Sequence, residues 1–309
     1  MTGTVIRNTG SWYVVKTGNG QLFNCKVKGN FRLKGIRSTN PVVVGDVVDI
    51  APGADAAFIT DIHDRRNYIV RKASNLSKQS HIIAANVDQA ALIVTLRHPE
   101  TSMVFIDRFL ASAEAYRVPV LLVFNKTDLL DDEGRKLLEG LSDTYRQLGY
   151  TCLAISALHS QLSTMHEVLR GRTTLFSGNS GVGKSTLLNA LIPGLGVRTS
   201  EISISHDTGM HTTTFSEMYD LPGNDGTVID TPGIKGFGTF DMDPSEVSHY
   251  FREIFATSRD CRFGNCTHTH EPGCAVLAAL ENGSIAASRY QSYLSMMQDK
   301  EDGKYRAAF

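Results

Sequence analysis

Gly178-Asn179-Ser180-Gly181-Val182-Gly183-Lys184-Ser185 spells a complete G-x-x-x-x-G-K-S between the apolar run Thr173–Phe176 and the helix-forming stretch Ser185–Leu191. A strand, a glycine-rich turn and a helix start are the setting in which this spacing cradles phosphate. Glycines let backbone N–H groups converge on phosphate oxygens, and the helix N-terminus adds favourable partial charge. Gly178 through Thr186 thus form a candidate nucleotide cradle. Lys184 reaches the β- and γ-phosphates, and the Ser185 hydroxyl serves as a Mg²⁺ ligand.

Base identity is written elsewhere, in Asn125-Lys126-Thr127-Asp128 after the apolar run Val118–Phe124. A carboxylate such as Asp128 accepts from both guanine N1–H and its exocyclic amine. Adenine offers no such donor pair, so the carboxylate would be left unpaired. Asn125 is expected at the other edge of the base and the Lys126 stem over its face. Ser156-Ala157 follows the strand Thr151–Ile155 and could present the Ala157 N–H to guanine O6. Asp230-Thr-Pro-Gly233 follows the hydrophobic stretch Thr227–Ile229, placing Asp230 to hold Mg²⁺ through water and the Gly233 N–H to sense the γ-phosphate. Gly209-Met-His-Thr-Thr-Thr214 is a plausible switch supplying a Mg²⁺-binding threonine, Thr212, Thr213 or Thr214, the pattern not choosing among them and Thr213 being taken as the ligand.

A third constellation is Cys261-x4-Cys266-x-His268-x-His270-x3-Cys274. In a reducing compartment such clustering indicates metal rather than disulfide. Three thiolates and one imidazole close a tetrahedral zinc site with no open position, which makes it structural. Spacing alone leaves His268 and His270 competing for the fourth place.

These residues need a scaffold. The stretches Gly3–Asn8, Trp12–Thr17, Gln21–Val27, Pro41–Ile50 and Phe58–His63 alternate or carry β-branched and aromatic residues, with turns rich in glycine. Five short strands predict a small barrel of the OB-fold type, with an SH3-like barrel fitting the pattern almost as well. From about residue 86, apolar runs alternate with helical stretches (104–116, 132–148, 161–169), the texture of a mostly parallel sheet covered on both faces. Residues 213–221 and 226–230 predict an antiparallel pair at its edge. Helices are expected at 243–255, 275–282 and 285–298. The domain reading is 1–72 barrel, 73–237 α/β P-loop domain and 238–309 helical zinc-binding domain.

The 309 residues carry 31 Lys and Arg against 32 Asp and Glu, a net charge of −1. The average conceals a split, because residues 1–72 hold eleven basic against five acidic side chains, +6, which leaves −7 on the remainder. A basic module joined to an acidic body points to a phosphate-rich partner, although lysines and arginines also serve simply to keep a small β domain soluble. A mean hydropathy of −0.14 and apolar runs far short of the roughly 18 residues a spanning helix needs argue against a membrane protein. No basic leader followed by an apolar stretch opens the chain, so no export is expected.

Motif order is unusual. Asn125–Asp128 and Ser156-Ala157 precede the P-loop, the reverse of a Ras-like chain, as if the termini had been joined and the chain cut after Gly233. This order, followed by the Cys/His cluster, resembles the circularly permuted ribosome small-subunit-dependent GTPases, the RsgA/YjeQ/YloQ family. The resemblance covers nearly the whole chain. It implies an OB-fold, a permuted GTPase and a zinc-binding helical domain. It further implies a cytoplasmic, monomeric factor that binds 16S rRNA late in 30S subunit assembly, alongside other assembly factors. Its GTP hydrolysis to GDP would be stimulated by that subunit. It assigns zinc to Cys261, Cys266, His268 and Cys274, and water positioning to His211, since Ile234 stands where Ras-type enzymes carry glutamine. Met210 stands where the family carries Arg or Lys.

Overall fold

The computed structural model describes residues 1–27, 41–53, 55–72, 80–159, 162–197, 216–231 and 243–298. Five strands, β1 (Thr2–Asn8), β2 (Tyr13–Thr17), β3 (Leu22–Val27), β4 (Val47–Ala51) and β5 (Ala57–Ile62), close in the order β1-β2-β3-β5-β4-β1. The β3–β5 pair is parallel, so the barrel is a Greek key of the OB type and not a simple meander. Alternation does the work here: Val5, Val15, Val48, Ile50 and Ile59 point inward and are almost fully buried.

Part of the expected fourth strand is not a strand. Val42, Val43 and Val44 are buried, but Gly45 turns the chain at φ +92°, where an added Cβ would collide with the Ala85 carbonyl. Asp46 then accepts from the Val43 N–H (2.8 Å) and pairs with Arg65 (2.6 Å), both side chains buried. An antiparallel pair that the sequence pattern missed, β6 (Tyr68–Lys72) and β7 (Ser80–Ala85), forms a separate two-stranded sheet after the barrel.

The central sheet is built from β8 (Gln89–Val94), β9 (Val120–Phe124), β10 (Thr151–Ala154), β11 (Thr173–Ser177), β12 (Glu217–Asp220) and β13 (Thr227–Asp230), in the order β10-β9-β8-β11-β13-β12. All neighbours are parallel except β12, which runs antiparallel to β13. Strands β8 and β9 are buried at every residue, as continuous apolar runs in a sheet covered on both faces must be. Helices α1 (Met103–Ala115) and α2 (Asp132–Gln147) cover one face; α3 (Ser163–Leu169) and α4 (Lys184–Leu191) cover the other. Ser102 and Asp131 cap α1 and α2 by accepting the N–H of Phe105 and Gly134.

The C-terminal region differs from the single helix expected at 243–255. A 3₁₀ turn, Pro244–Tyr250, and α5 (Arg252–Ser258) meet at Phe251, which is extended (φ −107°, ψ 102°). The break lets the fully buried Phe251 ring pack edge-on to Tyr293, with centroids 5.8 Å apart. Helices α6 (Ala275–Glu281) and α7 (Ala287–Gln298) complete the unit.

This helical unit is clasped to α1 and α2 by a buried ionic cluster. Arg289 on α7 donates to Asp107 of α1 (2.7 Å) and to both oxygens of Glu253 (2.7 and 3.1 Å), while Tyr145 of α2 donates to Asp107 (2.8 Å). Side-chain exposure is 2% for Arg289 and 0% for Asp107, so neither charge has water to fall back on. Arg289→Met should therefore cost about 3–5 kcal/mol by stranding the carboxylate of Asp107. Urea denaturation followed by circular dichroism measures it, and a loss below about 1 kcal/mol would contradict the clasp.

Candidate active site and metal centre

The end of β11 feeds directly into the phosphate loop. Gly178 (φ +146°) passes so close to Ile93 that an added Cβ would collide with its carbonyl oxygen, and Gly183 (φ +94°) meets the Asn125 carboxamide in the same way. Only glycine permits both the turn and the approach. Lys184 and Ser185 then open α4. The Lys184 ammonium is buried and donates to the carbonyls of Gly178 (2.7 Å) and Asn179 (2.8 Å), which holds it inside the loop.

Asp230 ends β13, in register with Phe176 just before the loop, and is buried. Burial lifts its carboxyl to about 6 while Lys184 opposes the shift. Burial likewise lowers Lys184 to about 8, with Asp230 opposing. Between those values both groups are charged and attract one another. Asp230 and the Ser185 hydroxyl are hard oxygen donors of the kind Mg²⁺ prefers, so the residues present fit that ion.

Asn125 sits at the end of β9 and is buried. Its Nδ2 donates to the Val182 carbonyl (2.8 Å) and its Oδ1 accepts from the Ala157 N–H (3.0 Å). The sequence reading gave both groups to the base; here they bind each other and the P-loop, joining three loops distant in the chain. Lys126 adopts φ +60° and donates to the His98 carbonyl (2.6 Å), its stem lying beside Gly183. Thr127 donates its N–H to Ile155, and Asp128 is exposed on the adjoining 3₁₀ turn. Ser156 is buried under the same loop. His211, Thr213 and Gly233, and Met210 and Ile234 with them, lie outside the described residues.

In the C-terminal helical unit, Cys261, Cys266, His268 and Cys274 bring their ligand atoms within 4.8 Å of one another. The separations Cys261 Sγ–His268 Nδ1 (3.6 Å), Cys274 Sγ–His268 Nδ1 (3.5 Å) and Cys261 Sγ–Cys274 Sγ (3.9 Å) can be compared with a tetrahedron. Zinc bonds of about 2.3 Å to sulfur and 2.0–2.1 Å to nitrogen require edges of about 3.5–3.8 Å, so the set fits zinc. The competition between the histidines is settled by position: His268 turns inward at φ +58°, whereas His270 is exposed and bonds Thr269. Burial lowers the pKa of His268, favouring the neutral imidazole a metal needs. Around the cluster, Tyr290 and Tyr293 donate to the carbonyls of His268 and Thr267, both at 2.7 Å. Glu271 accepts the Thr267 and Thr269 N–H groups, which fixes the loop. The remaining cysteines, Cys25 and Cys152, are buried singly, and burial pushes each thiol up to about 11.

A P-loop, a guanine-type tetrapeptide and a buried aspartate on this strand order define a circularly permuted P-loop GTPase. The chain matches the RsgA GTPase family over residues 62–240 and the RsgA N-terminal domain over residues 2–57. It belongs to the RsgA GTPase family and is a GTP-hydrolysing enzyme. A Bacteroides fragilis protein named "Small ribosomal subunit biogenesis GTPase RsgA" is 65% identical, the match covering 100% of both chains. A Flavobacterium johnsoniae protein of that name is 51% identical over 98% of this chain and 94% of its own. Among solved structures, YjeQ from Thermotoga maritima superposes with a TM-score of 0.76 at 34% identity, covering 99% of each chain. YloQ, described as a circularly permuted GTPase, gives 0.73 at 28% identity over 99% and 96%. The family resemblance read from the motifs is thus borne out.

Two outcomes are expected. Elemental analysis of the purified chain should find one zinc per molecule, and Cys274→Ser should lose it and lower the melting temperature. A metal-free protein of unchanged stability would contradict the assignment. Asp128→Asn should weaken GTP binding by about 100-fold or more and shift preference to xanthosine triphosphate, in a competition assay with labelled nucleotide.

Proposed function

We propose that this chain acts in late maturation of the small ribosomal subunit in the cytoplasm, as a monomer, and that the 30S subunit stimulates its hydrolysis of GTP. Three modules carry the work, at residues 1–72, 73–237 and 238–309. The reading is supported chiefly by one observation, the guanine-type loop locked to the P-loop through Asn125, in a chain whose full-length relatives bear the name of small-subunit biogenesis factors. A basic barrel beside an acidic body adds a surface suited to 16S rRNA.

In this reading Gly178–Thr186 wraps the phosphates, and Lys184 stabilises charge developing on the transferring phosphoryl group. Ser185, Thr213 and Asp230 would hold Mg²⁺, which would supply neutralisation of phosphate charge. Gly233 senses the γ-phosphate, and His211 positions the attacking water. Asp128 reads the guanine edge, with Lys126 and Thr127 shaping its pocket and Ser156-Ala157 backing Asn125. Hydrolysis alone is slow because the catalytic geometry is completed on the subunit. Binding to rRNA relies on phosphate contacts and weakens with salt.

The test is GTP turnover with and without purified 30S subunits across a salt series. Low basal turnover, a rise on adding subunits and loss of that rise at high salt are expected. Turnover indifferent to subunits would refute the proposal. Lys184→Ala should abolish both rates, and His211→Ala should reduce the stimulated rate while GTP affinity is kept. A His211→Ala chain that still supports subunit maturation would instead make GTP occupancy the output.

A further inference from the structure

Trp12 is the chain's single tryptophan and is 41% exposed, at the end of the turn that joins β1 to β2. The turn is firm: the Thr9 N–H and hydroxyl both donate to the Trp12 carbonyl (2.9 and 3.2 Å), and the Gly10 N–H donates to the Asn8 side chain (2.8 Å). The Lys26 ammonium lies 4.3 Å from the ring centroid. Beside the ring is a cavity of about 330 Å³ lined by Arg7, Thr9, Trp12, Val14 and Asn24, with no carboxylate among them. An exposed aromatic plane flanked by cations is the local chemistry by which single-stranded nucleic acid is held, the base stacked and its phosphate paired.

Arg7 also faces the other way. It is opposite Glu217 in the single residue pair that joins β1 to β12, and its Nε donates to Glu217 Oε1 at 2.7 Å. Glu217 is in turn the cross-strand partner of Asp230. One row of side chains therefore runs from the cavity to the nucleotide site: Arg7, Glu217, Asp230.

We propose that this cavity takes one unstacked nucleotide of single-stranded RNA, its base against Trp12 and its phosphate toward Arg7 and Lys26, and that Arg7 couples its occupancy to the guanine-nucleotide site. The proposal rests on the RNA-binding reading above. A phosphate that draws the guanidinium away from Glu217 leaves an uncompensated carboxylate on β12 directly opposite Asp230. The coupling is reciprocal, so nucleotide changes RNA affinity by the same factor as RNA changes nucleotide affinity.

The single tryptophan supplies the assay. A fluorescently labelled single-stranded RNA dodecamer should bind the full chain and quench Trp12 emission. Trp12→Leu should weaken binding about 5- to 150-fold, with Trp12→Tyr restoring most of it. Unchanged emission, or equal affinity in Trp12→Leu, places RNA elsewhere and overturns the proposal while leaving the RNA-binding reading standing. A chain that binds no RNA or 30S subunit overturns both. Quenching by ribosomal-protein peptides but not by RNA overturns the proposal in favour of a protein ligand. For the coupling, affinity for a fluorescent non-hydrolysable GTP analogue is measured with and without the dodecamer. Arg7→Gln and Glu217→Gln should each remove the RNA effect. Persistence of the effect in both single variants would exclude the Arg7 route.

Discussion

One carboxamide holds the nucleotide site together. Asn125 donates to the P-loop at Val182 and accepts from Ala157, so three loops on β9, β10 and β11 share a side chain buried where water cannot replace either bond. The two segments it joins to the P-loop come earlier in this chain, yet a sheet is specified by which strands are neighbours, not by the order in which they are made. Strand β11 lies between β8 and β13 through four residue pairs on each side, and the permuted order leaves all of them intact. The absence of a side chain at Gly183 is the counterpart of the Asn125 bond, since anything larger would displace the carboxamide.

Cutting the chain after the aspartate loop has a mechanical consequence. Thr231 is pinned by its hydroxyl to the Phe176 carbonyl (2.9 Å), and the chain is fixed again at Asp243, which caps the 3₁₀ turn of the unit that carries the Cys/His cluster. That unit is itself fastened to α1 and α2 through Arg289 and through Arg252, which pairs with Glu114 (2.6 Å) and lies over the Tyr150 ring (4.1 Å). The segment between Thr231 and Asp243 therefore connects two points belonging to one packed body.

Most of this was legible from local chemistry. The P-loop, the guanine tetrapeptide and the Cys/His cluster carry their geometry in a few adjacent residues, and the alternating valines of the barrel carry theirs in a period of two. What escaped was set by tertiary contact. The β6–β7 pair has no strong alternation and exists because Ile69 packs into the core of the GTPase sheet and Ile82 beside Val43. The kink at Phe251 follows from the ring's burial under Arg289, 4.6 Å away, a partner thirty-eight positions distant in sequence. The Asn125 bonds could not be read from Asn-Lys-Thr-Asp alone, because a free amide is equally suited to a base edge. The choice between His268 and His270 needed the left-handed backbone at His268.

The charge split acquires a different meaning once the pairs are seen. Several of the barrel's cations do not wait for a partner: Arg7 and Lys16 pair with Glu217 and Asp220 on β12, and Arg66 pairs with Asp88 just before β8. Segregated charge first docks the basic module on the acidic one. These pairs are exposed, with side-chain accessibilities of 31% to 63% on the basic partners, so each contributes about 1 kcal/mol or less. The Arg289 cluster, by contrast, is almost completely dry. The ionic cluster of the Cys/His unit is thus buried, whereas the barrel's ion pairs are exposed and its buried junction is the apolar one made by Val44 with Ala84 and Ala85. Phosphates of an RNA can replace carboxylates in exposed pairs at little net cost, because one solvated ion pair is exchanged for another. These exposed pairs, and not the Arg289 cluster, are the ones an external polyanion would exchange at least cost.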